Sequence, residues 1–460
     1  MQIIQKYRLV FFVGIFILIS SCQSKSSWDI REFGAVADST TINTVAIQNA
    51  IDACSEAGGG MVIMKEGNYI TGTILLKNNV ILKIDEGAKL IGSKNPLDYK
   101  SIDPFTDAVG QLRGKCLVGA EDVSNIGIIG NGTIDGMGKH FLRENLLLNA
   151  DKFGFEKSKV RKYQSNRPFL VRFVKSSNIT VKDVHLRSAA AWALHFFQSN
   201  KINVDGIDIY NHNNHNTDGI DMDSSSDAVI KNCNIDTADD AICFKTTSPV
   251  PTQNILVENC RLKSNWGAVK FGTESMGDFK NITVKNCYLH NTKGGGIKVL
   301  SVDGANISDI VLDSLTMKNV DMPIFVRLGE RLRTYRYAPK QKVGSINNIS
   351  ISNISAISRS IEESRVSPPS GIFITGTSNH KIGKVSLNNI KITLPGGGNE
   401  EHSKIVVAED EKRYPEFSFF GVSPAYGIYA RHINNLKTDN IKFTLLDDDQ
   451  RKEIVFDDVN

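Results

Sequence analysis

Ala228-Val229-Ile230-Lys231-Asn232-Cys233, Ile255-Leu256-Val257-Glu258-Asn259-Cys260 and Ile282-Thr283-Val284-Lys285-Asn286-Cys287 repeat one pattern at intervals of 27 residues. Each segment alternates apolar and polar residues and is rich in β-branched side chains, the signature of a short half-buried strand. Each carries asparagine just before its cysteine, and asparagine tolerates a left-handed backbone and so turns the chain. Working outward, Asn178-Ile179-Thr180-Val181, Ile202-Asn203-Val204-Asp205-Gly206 and Ile307-Ser308-Asp309-Ile310-Val311-Leu312 fit the same frame, with starts 24 to 27 residues apart. Weaker echoes run through Ile346 to Ile354, Ile382 to Ile392 and His432 to Phe443. Strands at this period, with no helical pattern between them, indicate a solenoid of stacked parallel strands. The expected fold is all-β, a right-handed parallel β-helix with equivalent residues about 4.8 Å apart on successive coils. The asparagines are expected to form a hydrogen-bonded ladder at a turn, and the three cysteines an apolar ladder inside.

A solenoid leaves an open strand edge at its first coil. Residues 43 to 57 supply a plug: Asn43 or Thr44 caps, Ala46, Ile47, Ala50, Ile51 and Cys54 share one helical face, and Gly58-Gly59-Gly60 stops the helix. Residues 137 to 168 and 327 to 342 break the repeat and read as long loops bordering a cleft. The rest of the chain, residues 28 to 460, reads as a single domain.

Of 460 residues 41% are hydrophobic, enough for a large core, and the net charge is only +4. So small a surplus argues against a nucleic-acid binder. Lys6 and Arg8 precede an apolar run from Leu9 to Ile19, then Ser20, Ser21 and Cys22. This is the layout of a removed export signal over residues 1 to 21. Ile19-Ser20-Ser21-Cys22 resembles a bacterial lipobox, in which Cys22 is acylated, and residues 22 to 27 would then be a tether. The expectation is an exported monomeric lipoprotein of the outer membrane or periplasm, attached to the membrane through Cys22. The remaining six cysteines lack the spacing of a zinc site, and neither metal nor cofactor is expected.

The densest polar constellation is His212-Asn213-Asn214-His215-Asn216-Thr217-Asp218-Gly219-Ile220-Asp221, followed by Asp236, Asp239 and Asp240. Asp218 and Asp240 are 22 residues apart, about one coil, so their carboxylates should converge on one face. Crowded carboxylates cannot all ionise; one is pushed up and another stays low, which provides an acid and a base at one pH. Glycosidic hydrolysis needs that pair, and solvated turn aspartates are the competing reading.

Asn216-Thr217-Asp218-Gly219 and the Asp239-Asp240 pair resemble the NTDG and DD motifs of the polygalacturonase family, glycoside hydrolase family 28. The likeness extends to Phe33-Gly34-Ala35, Ala46-Ile47-Gln48, Gly130-Asn131-Gly132-Thr133-Ile134-Asp135-Gly136 and Pro424-Ala425-Tyr426-Gly427-Ile428-Tyr429-Ala430-Arg431-His432. It implies a β-helix and hydrolysis of pectic or related acidic polysaccharides with inversion. Asp239 would be the general acid, while Asp218 and Asp240 would hold and deprotonate the water. Two motifs are altered. Asn265-Trp266-Gly267 stands where the family has Gly-His-Gly, and Gly296-Ile297-Lys298 where it has Arg-Ile-Lys, so an arginine able to clamp a substrate carboxylate is missing. Trp266 is a candidate platform for a sugar face; Asn216, Lys270, Glu274 and Lys298 are candidates to line its subsite. Lys245 reads as a solvated strand end and His212 and His215 as local hydrogen-bonding groups. Arg327, Arg331 and Arg333 form a cluster suited to uronate or sulfate groups. A lyase using Lys270 or Lys298 as base, and a non-catalytic glycan-binding protein, are the alternative functions.

Overall fold

The computed structural model describes residues 26–460. The export signal and Cys22 lie outside the described residues. Each coil contributes up to three strands. One coil runs through Ser177–Lys182, His185–Arg187 and Leu194–Phe197, and the next through Asn200–Asp205, Asp208–Asn211 and Ile220–Asp223. The strands of the solenoid pair in parallel with their counterparts one coil on, so three parallel sheets stack along the molecule. Ile179, Ile202, Ala228, Ile255, Ile282 and Ile310 lie in one interior column. The period-2 alternation seen in the sequence turns one face of each strand inward, and a continuous core reaches from Trp28 to Ile433.

At the first corner Asn232, Asn259 and Asn286 hold left-handed backbones, with φ of 56°, 57° and 54°. Cys233, Cys260 and Cys287 follow them into the interior, each 2% exposed, and all six described cysteines are free thiols. Further along the same corner column the amides form a ladder, Asn389 to Asn353 at 2.7 Å and Asn440 to Asn389 at 3.0 Å. A second stack runs through Asn178 to Asn125 at 2.7 Å, Asn254 to Asp227 at 2.9 Å and Asn281 to Asn254 at 3.0 Å. The residues of this second stack lie near the start of the first strand of each coil, where the side chains point outward and meet their equivalents. The expected corner ladder therefore exists in the later coils, and a second one stands beside it.

Helix α1 (Thr44–Glu56) plugs the first coil with Ile47, Ala50, Ile51 and Cys54, all fully buried. Asn43 makes no capping bond to α1; its amide holds the Val36 and Thr41 backbone instead. The domain begins slightly earlier than the sequence suggests, because Ser26 and Ser27, read as tether, pair with Met61.

The two irregular segments differ from expectation in kind. Residues 137 to 168 are not an extended loop: α2 (Arg143–Phe153) and α3 (Val160–Ser165) pack through Leu146, Ala150, Phe155 and Val160 into a small cluster of their own. The i, i+4 pair Leu146 and Ala150 gives α2 an apolar stripe that needs a partner. In the second segment Arg327 and Leu328 finish the strand Ile324–Leu328, and the remainder is extended loop. A further departure carries no repeat signal: Ser101–Thr106 and Leu112–Glu121 form an antiparallel hairpin, joined by Asp107 to Gln111, that leaves the solenoid and folds over its third sheet. No described helix is long and apolar enough to cross a membrane.

Candidate active site

The third sheet carries the site. Its inward residues (Phe196, Met222, Phe244, Phe271) enter the core. Its outward column reads Arg172, His195, Asp221, Cys243, Lys270, Lys298, Phe325, Phe373 and Tyr429 on successive coils. The turns that lead into these strands stack as well. Ala193 N–H donates to the Asp218 carbonyl at 2.8 Å, Gly219 N–H to that of Asp240 at 2.9 Å, and Ala241 N–H to that of Gly267 at 2.9 Å. Asp218, Asp240 and Gly267 are therefore equivalent positions on three neighbouring coils, which brings the aspartates together as the 22-residue spacing suggests.

The carboxylates are sorted by the ammoniums between them. Lys270 Nζ donates to Asp240 Oδ2 at 2.7 Å, and Gly267 N–H to Asp240 Oδ1 at 3.0 Å. Gly267 has no room for a side chain, since a Cβ there would lie 2.9 Å from Asp240 Oδ1 and 3.1 Å from Lys298 Cδ. Lys245, read as a solvated strand end, is buried: its Nζ stands 3.3 Å from Asp218, 3.5 Å from Asp221 and 3.5 Å from Glu274, over the Trp192 ring. Asp239 accepts from Asp240 N–H at 2.9 Å and from Asn216 Nδ2 at 3.5 Å, and among the described residues no lysine is paired with it.

The proton affinities follow from this. Burial, reinforced by the charges of Asp218 and Asp240, pushes the Asp239 carboxyl up to about 8. Burial and the neighbouring Asp221 also raise Asp218 well above the usual range, against the pull of Lys245. Burial lifts Asp221 to about 7. Burial opposes ionisation of Asp240 too, yet the ammoniums of Lys270, Lys298 and Lys245 overcome it and hold that carboxyl low. At neutral pH the site therefore presents a protonated Asp239 beside an ionised Asp240.

The hairpin covers this cluster. Ala108 N–H donates to Glu274 Oε1 at 3.0 Å, Gln111 Nε2 to Asn216 Oδ1 at 3.1 Å, and Arg333 to the Ala108 carbonyl. Asp107, Ala108, Val109, Arg113 and Tyr414 close in on Asp218, Asp239 and Asp240 around a cavity of about 40 Å³. That is room for water rather than for a whole sugar ring, so a substrate must move part of this cover.

The model of Glycosyl hydrolases family 28 matches residues 77–411. The chain belongs to this family. An exo-poly-alpha-D-galacturonosidase of Dickeya chrysanthemi is 39% identical over 118 residues, 24% of this chain and 19% of that protein. The chain thus aligns with about a fifth of that relative's length. Among solved structures, an exopolygalacturonase of Thermotoga maritima superposes with a TM-score of 0.66 at 22% identity, covering 80% of this chain and 87% of that one. A family 28 exopolygalacturonase of Yersinia enterocolitica superposes with a TM-score of 0.68 at 19% identity, covering 95% and 78%. The shared fold is the right-handed parallel β-helix.

Several residues of the family 28 protein sit otherwise than expected. Trp266 is no open platform. Its Nε1 donates to Glu416 Oε1 at 3.0 Å, Arg365 stacks 4.1 Å from the ring centroid, and the Lys298 ammonium lies at 5.3 Å. Lys298 is fully buried and bound to both Glu416 oxygens, at 2.5 and 2.7 Å, so its ammonium does not face a substrate. Arg327 lines no subsite: its guanidinium holds Thr375, the Gly376 carbonyl and the Glu409 carbonyl. Arg331 is tied to Asp303, and Arg333 to the Ala108 carbonyl. The arginine cluster thus braces loops rather than recognising anions. His212 donates locally to Asp236 at 2.5 Å. Tyr414 and Glu416, which complete the wall, sit in a loop with no periodic signal to mark them. Asp218, Asp240 and Cys243 offer ligand atoms within 4.8 Å of one another. Lys270 and Lys245 already balance the two carboxylates, and burial pushes the Cys243 thiol well up, so the group is poorly matched to a cation.

Proposed function

We propose that this protein hydrolyses glycosidic bonds of pectic, galacturonic-acid-containing polysaccharides from a chain end, with inversion of configuration. The observation that carries the reading is the pairing of a proton-bearing Asp239 with an ionised, Lys270-held Asp240 in one buried pocket. Asp239 gives its proton to the leaving oxygen as the glycosidic C–O bond breaks. Asp240 takes a proton from the water that attacks the anomeric carbon on the opposite face, and Asp218 holds that water. Lys245 and Lys270 keep the carboxylates in place and supply fixed positive charge beside them. Action at a chain end is supported by the hairpin, which crosses the sheet and closes one side of the pocket. Family membership and an exo-acting relative support the same substrate class. A lyase base is less well supported, because both candidate lysines are engaged by carboxylates.

The test is proton NMR of the first product released from pectic polymers. An inverted anomer, lost in Asp239→Asn, is the expected result; a retained anomer or an unsaturated product would overturn the assignment. Export and lipid attachment at Cys22 are also proposed, on the residues Ile19 to Cys22. Radiolabelled fatty acid should be incorporated in the wild type and not in Cys22→Ser.

A further inference from the structure

We propose that the subsite bordered by Trp266 and Lys298 takes an uncharged sugar, and that Glu416 sets this selectivity by occupying Lys298 in place of a substrate carboxylate. The inference rests on the hydrolase reading above and specifies its substrate. Lys298 is one coil beyond Lys270 in the same outward column, and its stem flanks Gly267 opposite Asp240, so it borders the position next to the reacting bond. A lysine there is suited to pair with a uronate. The fold has already supplied the anion. Glu416, 118 residues away in sequence and with a side chain 1% exposed, accepts both contacts from Lys298 and a third bond from the Trp266 indole. These are the bonds a bound sugar carboxylate would make.

The lysines around the pocket are likewise committed. Lys270 serves Asp240, and Lys245 serves Asp218, Asp221 and Glu274; Arg113 gives its Nε to Asp107, while its two terminal nitrogens are buried without a hydrogen-bond partner among the described residues, on the side of Trp192, away from Lys298 in the sheet column. Arg167 donates to the Ala190 and His215 carbonyls and to Asn216. A uronate placed at Lys298 would have to displace Glu416 and leave that carboxylate buried without a counter-charge, which is strongly unfavourable. A neutral sugar asks for no such exchange. Arg365, stacked on Trp266 and bonded to the Lys293 and Asn265 carbonyls, is a solvent-exposed cation at this rim. It is therefore the control.

The experiment compares full-length wild type, Glu416→Gln and Arg365→Gln on two polymers, polygalacturonate and a backbone alternating galacturonate with a neutral deoxyhexose. Initial rates are measured, and NMR identifies the sugar on each side of the cut. The wild type should favour the alternating polymer by about tenfold or more and place the neutral sugar at this subsite, given what a site's unpaired buried polar groups cost. Glu416→Gln frees Lys298 and should raise kcat/KM on polygalacturonate about tenfold, with little change on the alternating polymer. Arg365→Gln should leave the preference unchanged. Equal wild-type rates on both polymers, or loss of polygalacturonate cleavage in Arg365→Gln, would overturn the proposal. So would a folded Glu416→Gln, judged by Trp fluorescence and thermal melting, that keeps the wild-type ratio. Should Glu416→Gln not fold, the wild-type cleavage pattern decides alone. Cleavage of neither polymer would count against the hydrolase reading, and calorimetry with uronate-ended and neutral-ended disaccharides would then judge the subsite: tighter binding of the neutral one supports it, tighter binding of the uronate overturns it.

Discussion

The outward column of the third sheet divides into two halves with the same backbone and opposite chemistry. From His195 to Lys298 it is mostly ionisable and lines the site; from Phe325 through Phe373 to Tyr429 it is aromatic. The aromatic half packs under Val407, Phe417 and Ala425 of the C-terminal region into a second hydrophobic cluster. The same chain segment that covers Phe325 goes on to place Tyr414 and Glu416 against Lys270 and Lys298. One half of the column therefore anchors the lid segment and the other half uses it. A solenoid permits this because stability is shared between neighbouring coils, so one coil can carry buried charge while others contribute apolar area.

Breaking the charged half at its reacting end should have the largest effect. Asp239→Asn removes the proton donor and should lower kcat by about 10²- to 10⁴-fold with the fold intact, as steady-state kinetics and circular dichroism would show. In the same half, Lys270→Met strips Asp240 of its counter-ion inside the protein and should cost about 3–5 kcal/mol in urea unfolding. Phe373→Ala in the aromatic half should cost a similar ~3–5 kcal/mol through the cavity it leaves. Unlike Lys270→Met, it should leave the pH dependence of kcat/KM near that of wild type, and a shifted profile would erase the distinction between the halves.

Titration sharpens the contrast further. The native Asp239 carboxyl binds its proton up to about 8, against 3.8 for an ordinary aspartate, so between these values the folded chain holds more protons than the unfolded one. The stability this group contributes is therefore fully present below pH 4 and is lost as pH rises towards 8. Asp239→Asn should lack that decline, and wild-type kcat/KM should fall above pH 8 as the acid ionises. The smallest effect belongs to the outer amide stack, where Asn254→Ala should cost about 0.5–1 kcal/mol and leave activity unchanged.

Much of this was legible in the sequence. The 27-residue recurrence of Asn232, Asn259 and Asn286 marks real corners, because left-handed backbone is a local demand that few residue types meet. The helix α1 was legible from its apolar face, and the meeting of Asp218 with Asp240 from their spacing. Lys245 was misread because its position at a strand end says nothing of the three carboxylates that bury it. The corner ladder is formed by Asn353, Asn389 and Asn440, and the second stack through Asn254 and Asn281 escaped notice because both columns offer asparagines at one-coil spacing.

Local pattern reaches whatever repeats with the coil: the solenoid, its interior columns and the register that stacks Asp218 on Asp240. The tertiary structure alone decided which charges meet. Ala108 reaches Glu274 across 166 residues and Glu416 reaches Lys298 across 118. The segments that carry Ala108 and Glu416 leave the solenoid, so they obey no period. Their positions are set by where apolar anchors such as Phe105 and Phe417 find a partner on the sheet, and that is a property of the folded surface rather than of any local pattern.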